Sequence, residues 1–444
     1  MNNQELANRL IGRGRRMGAS EVEVFIQNSR NLSIRVRNED IETVQEAASG
    51  GVGFRVIVDG GLGFSHCNDF SDRALNDTLE QAIAFARLTT PDEHNTLPSD
   101  KPHQDVAGLY DASIVNIAMD KKIDMALELE AHAMKDPRIT HSSGASFGEG
   151  ETEVLVANSK GLLKIYRSSV CSVGVSVVAE KGDQRHTGWE SCARRFFDDL
   201  ESLEKIGMEA AKKAYEMLDP RMVSTQRAAV IFDPAVARSL VGGIIAAING
   251  ERVLQGASFL KDSMDERFAS ELLTIIDDGL RPGGLGSKPF DGEGVPTATR
   301  TLVEQGVLRG FLFNTYAANR AGVDSTGNAS RSGFTGLPSI GTHNLYLKAG
   351  PDKAEDILAN TQRGLLLKGV TGYGINPVNG NYSGGASGFW VENGRIVHPV
   401  QGLTIGGSAH DILNNIDMMA DDLDMNRSFS APTFRVREMQ IGGA

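Results

Sequence analysis

Nine histidines, three cysteines and the adjacent aspartates are the residues of this 444-residue chain best suited to hold a metal or carry a proton. Their spacing does not assemble them. His66, His94, His103, His132, His141, His186, His343, His398 and His410 include no H-x-x-H or H-E-x-x-H pair, and none stands at ligand distance from a cysteine. Each reads as a surface or hydrogen-bonded histidine. Cys67, Cys171 and Cys192 are odd in number, far apart and without C-x-x-C, which fits a reducing compartment better than a disulfide framework. Asp277-Asp278 and Asp421-Asp422 offer the hard oxygens that a divalent cation takes, but they stand beside turns and read as solvated loop carboxylates. No G-x-x-x-x-G-K-[ST] loop is present, and the glycine-rich run 282–287 reads as a plain loop. Two polar loops, 325–328 and 379–385, expose enough backbone to bind an extended peptide through main-chain hydrogen bonds. Tight turns account for their glycines equally well.

The element best placed to frame a site is the stretch 232–258. Asp233-Pro234 is a helix start, an N-cap carboxylate followed by a proline whose missing N–H costs nothing there. The run from Ala235 to Ile248 has only Arg238 and Ser239 as polar residues, so it predicts a helix buried on all sides. Gly242 and Gly243 each cost about 1 kcal/mol against alanine, which predicts close backbone approach by another element or a local distortion. Asn249-Gly250 ends the helix.

The formal net charge of −12 argues against nucleic acid or an anionic membrane as the main partner. The basic cluster 12–16, GRGRR, reads as the solvated side of an amphipathic helix. The N-terminus has no signal pattern and no window reaches a membrane-spanning apolar length, so a cytoplasmic protein is expected. Residues 4–18 have helical spacing. From 20 to 67 the period changes to two, in short strands at 22–26, 32–36, 41–48, 52–58 and 62–66, and a helix follows from 71 to 88. The pattern recurs: helix 120–134, strands near 153–157, 162–166, 172–179 and 186–190, then a helix over 197–218. The fold class expected is α+β, with a duplicated helix–antiparallel meander–helix unit in domains 1–98 and 110–220. A β-rich third domain, a barrel or packed sheets, is expected over 226–444, with further helices at 352–367 and 409–419.

Several long motifs in the C-terminal half carry a resemblance: DDGLRPGGLGSKPFDGEGVPTATRTLVEQGVLRGFL (277–312), STGNASR (325–331), SGGASGFWVENGRIVHPVQGLTIGG (383–407) and SAPTFRVREMQIGG (430–443). With GVGFRVIVDGGLGF (51–64), they resemble the TldD/PmbA family, formerly described as modulators of DNA gyrase. The resemblance implies two branches. In TldD-type subunits, an H-E-x-x-x-H helix and a cysteine close to the C-terminus hold zinc, with the glutamate as general base. TldE/PmbA-type subunits lack that set and pair with a TldD-type partner, and the work of the family is proteolysis of unstructured peptides. Anchoring on GASF (256–259) places the two histidine positions at Val241 and Ala246 and the glutamate position at Gly242. The cysteine position falls within 424–430, where no cysteine stands. Valine and alanine offer zinc no lone pair, and glycine takes no proton.

The resemblance therefore implies a chain with no catalytic residue, metal or cofactor of its own, in a heterodimer whose TldD-type partner holds zinc, with a homodimer possible when alone. Asn328, Asn381, Tyr382, Ser383, Phe389 and Trp390 are the residues expected at a peptide-binding or dimer groove. Two alternatives stay open. One is a hydrolase built from Ser383 with a carboxylate such as Asp278, and the other is a binding protein acting on gyrase. Ligands five residues apart on an ideal helix diverge by about 140°, so a distortion at Gly242-Gly243 is expected as a relic of the zinc helix.

Overall fold

The computed structural model describes residues 2–372 and 374–443. The first unit runs α1 (Asn3–Arg16), β1 (Glu21–Arg37), β2 (Asp40–Val58), β3 (Gly61–Cys67) and α2 (Asp72–Leu88). Asn2 starts α1 with a reciprocal cap: its side chain accepts the Glu5 N–H at 2.8 Å, and Glu5 accepts the Asn2 N–H at 3.2 Å. The second unit repeats the order in α3 (Met119–Ala133), β4 (Ile139–Asn158), β5 (Leu163–Lys181), β6 (Gln184–Arg194) and α4 (Leu203–Tyr215). All six strands form one antiparallel sheet in the order β3-β2-β1-β4-β5-β6. The units therefore meet through their first strands, and the order reads the same from either edge.

The strands are longer than the spacing predicts, because the short runs 22–26 and 32–36 fuse into β1 and 41–48 and 52–58 into β2. Ser49-Gly50-Gly51 has turn composition, but in the sheet the polar midpoints face each other, Asn28 opposite Gly50 and Ser29 opposite Ser49. Fusion lets each central strand serve two cores. Val22, Val24 and Ile26 pack with α1 and α2, whereas Leu32, Ile34 and Val36 pack with α3 and α4. β4 divides likewise, with Leu155 and Ala157 in the first core and Ala145 and Phe147 in the second. The helix expected over 197–218 starts only at Leu203, where Ser202 caps it; 197–199 form one separate turn.

The rest of the chain is β-rich. It opens with β7 (Gln226–Phe232), α5 (Pro234–Ala247), α6 (Gly250–Leu254), β8 (Ile275–Asp278), β9 (Thr299–Glu304), β10 (Val307–Leu308) and α7 (Thr315–Ala321). Then come β11 (Ala329–Ser330), β12 (Ser339–Ile340), β13 (Asn344–Leu347), α8 (Ala354–Ala359), β14 (Arg363–Thr371), β15 (Asn381–Glu392) and β16 (Arg395–Ser408). α9 (Ala409–Asn414), β17 (Ile416–Met419), β18 (Phe429–Ser430) and β19 (Phe434–Gly442) complete it. Strands β16-β15-β14-β7-β19 close on themselves through β16–β19, a five-stranded barrel, with β17 beside β19. A second sheet runs β10-β9-β8-β13-β18. The helices expected at 352–367 and 409–419 are each a short helix followed by a strand. Leu365 and Leu367 belong to β14 and point into the barrel core, because a short apolar run suits either state until its neighbours are known. Among the described residues no helix is long and apolar enough to cross a membrane.

Buried charge fastens the N-terminal sheet to the C-terminal domain. The Arg55 guanidinium on β2 donates to Glu23 on β1 and to Glu293 of the C-terminal domain, both at 2.5 Å, and Arg331 pairs with the other oxygen of Glu23. Burial alone would lower the Arg55 pKa, but the two carboxylates outweigh it and hold the guanidinium charged. Beside this cluster Phe334 lies across β2, where a Cβ on Gly51 would meet its ring at 2.2 Å. The glycine-rich run 282–287 is also part of the joint, because the buried Arg195 of the second unit donates to the carbonyls of Gly284 and Leu285.

Candidate functional site

α5 leaves β7 with Asp233 as its N-cap, the carboxylate accepting the Ala235 N–H at 3.0 Å. The helix is buried on one side by Val236, Ala237, Leu240, Val241, Ile244 and Ala247. Its other side is not buried, which corrects the expectation of burial all round. Ala235 is exposed, and Arg238, Ser239, Gly242, Ile245 and Ala246 are half-buried at helical spacing. Small side chains make this open stripe apolar without making it core.

The two glycines have different reasons. A Cβ on Gly243 would lie 2.5 Å from Ile375 Cβ and 2.6 Å from its carbonyl oxygen, so glycine is required for the chain at 374–375 to cross the helix. A Cβ on Gly242 would meet nothing within 4 Å. The expected distortion is absent, since α5 is α-helical from Pro234 to Ala247. Close approach at Gly243 is the physical reason for one glycine, and open space stands over the other.

Of the three positions placed on the zinc motif, Val241 is in the core, Gly242 faces the open space and Ala246 is half-buried. None has an atom that ligates zinc, so the residues do not fit that metal. Among the described residues no group of three or more His, Cys, Asp or Glu side chains converges anywhere. The segment 424–430, where the cysteine position falls, does come to this helix: residues 427 and 429–431 border the same cavity as Asp233, Pro234, Ala235 and Arg238.

That cavity, of about 480 Å³, lies between the second unit and the C-terminal domain. β6 and α4 form one wall, and α5, β14, β15 and the segment before β19 form the other. Most of its charges are paired, but among the described residues Glu209 and Asp424 on its lining have no ion pair. Glu190 accepts from Arg427 and Lys213, and Lys368 donates to Asp233 at 2.6 Å. Arg238 is different: its Nε donates only to the Ala235 carbonyl of its own helix, and among the described residues it has no carboxylate partner. Burial lowers its pKa, and the nearby Arg427 lowers it further. A second hollow, of about 570 Å³, crosses the middle of β2, β1 and β4. There Arg30 is paired with Glu46, Arg167 with Glu153 and Tyr110 with Glu151.

The six expected groove residues do not gather at one place. Phe389 lines the cavity, while Trp390, its neighbour on β15, points into the barrel core. Tyr382 is buried near Ser239 of α5; burial pushes its phenol up to about 12, and its hydroxyl has no hydrogen-bond partner among the described residues. Asn381 and Ser383 are exposed at the start of β15. Asn328 is elsewhere, buried in a polar cluster where its Nδ2 donates to Asp277 at 2.8 Å. Asp277 is no solvated loop carboxylate: it is 1 % exposed on β8 and accepts from both the backbone N–H and Nδ1 of His343, at 2.7 and 2.9 Å. Asp278 accepts from Thr299 at 2.7 Å, and among the described residues Ser383 has no hydrogen bond to a carboxylate or imidazole. Sequence reasoning missed Trp189, Arg427 and the cavity itself. The one available signal was Arg238, a lone charge in an apolar helix.

Comparison with known proteins gives the family. Residues 22–86, 114–218 and 225–443 match, in turn, domain 1, the central domain and the C-terminal domain of the PmbA/TldA metallopeptidases. A metalloprotease PmbA homolog of Haemophilus influenzae is 34 % identical over 96 % of this chain and 93 % of its own length. The chain belongs to the PmbA/TldD family. The metalloprotease PmbA of Escherichia coli O157:H7 is 31 % identical over 95 % of this chain and 92 % of its own. Among solved structures, TldE of Thermococcus kodakarensis superposes with a TM-score of 0.89 at 25 % identity, covering 98 % of this chain and 99 % of that one. A Bacteroides thetaiotaomicron protein described as a candidate modulator of DNA gyrase gives 0.91 at 27 % identity, covering 100 % and 99 %. The chain is thus a PmbA/TldE-type member of the family.

Proposed function

We propose that this chain is the non-catalytic subunit of a TldD/TldE-like zinc metallopeptidase that degrades unstructured peptides. The observation that carries the reading is the face of α5 around Gly242, which is open to solvent and has no ligand or base. Val241, Gly242 and Ala246 supply neither, and the nearby residues 424–430 supply no thiolate. A subunit of this kind contributes walls rather than chemistry. Its partner holds zinc, and the two chains enclose the peptide.

A free sheet edge supports pairing. β3 covers β2 only from Val52 to Val58, so among the described residues the edge of β2 from Asp40 to Gly51 has no strand beside it. Ile41 and Val44 on that edge are 52 % and 46 % exposed. Long uncovered edges of this kind take up another strand, from a partner subunit or from an extended peptide. Relatives bear the name metalloprotease, yet a hydrolytic site in this chain has no geometric support, since Ser383 lacks a base and Asp278 is engaged by Thr299. The net charge of −12 likewise leaves direct DNA binding without support.

The test is to purify the chain alone and with a TldD-type partner. The isolated chain should carry no stoichiometric zinc and leave an unstructured peptide intact, and cleavage should appear when the partner is added. Chelator-sensitive hydrolysis by the isolated chain would end the proposal.

A further inference from the structure

We infer that the cavity between β6, α4 and α5 binds the C-terminal carboxylate of an extended peptide, with Arg238 as the residue that reads the charge. The inference rests on the peptide-handling reading above and adds to it which end of the peptide this subunit holds. Three features of the cavity lead to it.

The first is electrostatic. Arg238 is half-buried at the cavity wall with no carboxylate in salt-bridge contact among the described residues; Arg427 disfavours its charge, and the more distant Asp233 and Glu190 offset this only in part. A partly desolvated cation next to a second cation is unfavourable in the empty protein, and an incoming carboxylate relieves it. Arg427 already has Glu190 at 3.2 Å, and Lys368 has Asp233, so Arg238 is the cation with free capacity. The first turn of α5, with Pro234 and Ala235 on the wall, adds its partial positive charge on the same side.

The second is apolar surface at the mouth. Trp189 on β6 is 56 % exposed, which is unusual for so large an aromatic ring, and it lines this cavity together with Phe389 and Phe429. Exposed aromatic surface beside an unpaired guanidinium suits the last side chain of a peptide next to its terminal carboxylate. The third is size. About 480 Å³ lies within the range of small-ligand sites and holds a few residues rather than a folded domain. The larger hollow over β1 and β4 has no comparable unpaired charge.

The chemistry recognised is a carboxylate, and the test separates a chain end from a side chain. The probes are fluorescein-labelled Gly-Ser-Gly-Ser-Ala-Leu-Phe as the free acid, the same peptide as the C-terminal amide, and the amide with one internal aspartate. Binding to the full-length chain is followed by anisotropy. The free acid should bind about tenfold to a hundredfold more tightly than the amide, as one charge-assisted hydrogen-bonded pair provides. Arg238→Gln should abolish the difference, and Arg238→Lys should keep part of it. Trp189→Ala, at an exposed position, should weaken acid and amide alike. Equal binding of acid and amide would overturn the inference, as would an aspartate-containing amide that binds as tightly as the acid, or full discrimination by Arg238→Gln. Co-elution with a TldD-type partner, measured in parallel, keeps the two claims apart. A chain that separates acid from amide but finds no partner refutes the subunit reading alone, and a chain that pairs but makes no distinction refutes this inference alone.

Discussion

Adjacent glycines on α5 should respond to the same substitution with opposite signs. Gly242→Ala and Gly243→Ala each replace a helical glycine, which on propensity alone gains about 1 kcal/mol. At position 242 the new methyl meets nothing within 4 Å, so that gain should appear nearly whole, as a stabilisation of about 1 kcal/mol. At position 243 the methyl lands 2.5 Å from Ile375 Cβ and 2.6 Å from the Ile375 carbonyl oxygen. Apolar contacts settle at roughly 3.5–4.0 Å, so the main chain at Ile375 has to move by about 1 Å. Overpacking of that kind costs about 1–3 kcal/mol, which outweighs the propensity gain and leaves a net loss of up to about 2 kcal/mol. Urea denaturation followed by far-UV circular dichroism, with the slope checked for constancy, measures both variants against the parent. Gly243→Ala equal to or more stable than Gly242→Ala would mean that 374–375 does not press on the helix. The account of why α5 has two glycines would then fail.

Other consequences concern the domain joint and the thiols. Arg55→Met leaves the buried Glu293 without its cation, and removing one partner of such a pair costs about 3–5 kcal/mol; adding Glu293→Gln should return part of the loss, and additive effects in the urea midpoints would contradict the coupling. Burial raises the Glu293 pKa, but Arg55 and the Thr315 N–H more than reverse it, so its folded value lies below the ordinary one. A depressed carboxylate stabilises fully above its unfolded pKa of about 4.3, and that stabilisation disappears as pH falls through the folded value. The parent should accordingly lose thermal stability below about pH 4 more steeply than Glu293→Gln, and parallel profiles would refute the assignment. Burial pushes the Cys171 thiol up to about 12 and raises Cys192, whereas Cys67 is partly exposed. A thiol reagent at pH 8 should therefore label one cysteine in the native chain and three in urea, and rapid native labelling of Cys171 would contradict its burial.

The parts legible in the sequence were those fixed by local chemistry. Asp233-Pro234 set the start of α5, the apolar spacing over 4–18 set α1, and the change from period 3.6 to period 2 set the repeated helix–strand–helix order. Strand fusion at Asn28–Gly50 was hidden because a polar midpoint reads as a break until the partner strand is known. The same limit applies to Leu365 and Leu367, which have no period of their own and are strand only because β7 and β15 lie on either side. That Val241, Gly242 and Ala246 carry no ligating or basic atom was legible, because residue types need no geometry. The cavity was not. Trp189, Arg238 and Arg427 are far apart in the chain, and only the packing of β6 and α4 on the C-terminal domain brings them together.

Asp277 and Arg238 show how burial and pairing together separate structural charge from available charge. Asp277 is the more deeply buried, yet His343 and Asn328 satisfy it from three donors, so it needs nothing from outside the chain. In the Glu23–Arg55–Glu293–Arg331 cluster both carboxylates likewise find their cations within the chain. Arg238 is less buried and less satisfied, and it stands on the same face of the same helix as the vacant position at Gly242. If fold stability alone shaped α5, alanine would serve better at 242 and a neutral residue at 238, since glycine costs about 1 kcal/mol and a half-buried unpaired cation is also unfavourable. Among the described residues, only the more distant Asp233 and Glu190 offset the charge at 238, and no atom fills the space over 242. Under the function proposed above, a peptide lying against this face would supply the rest.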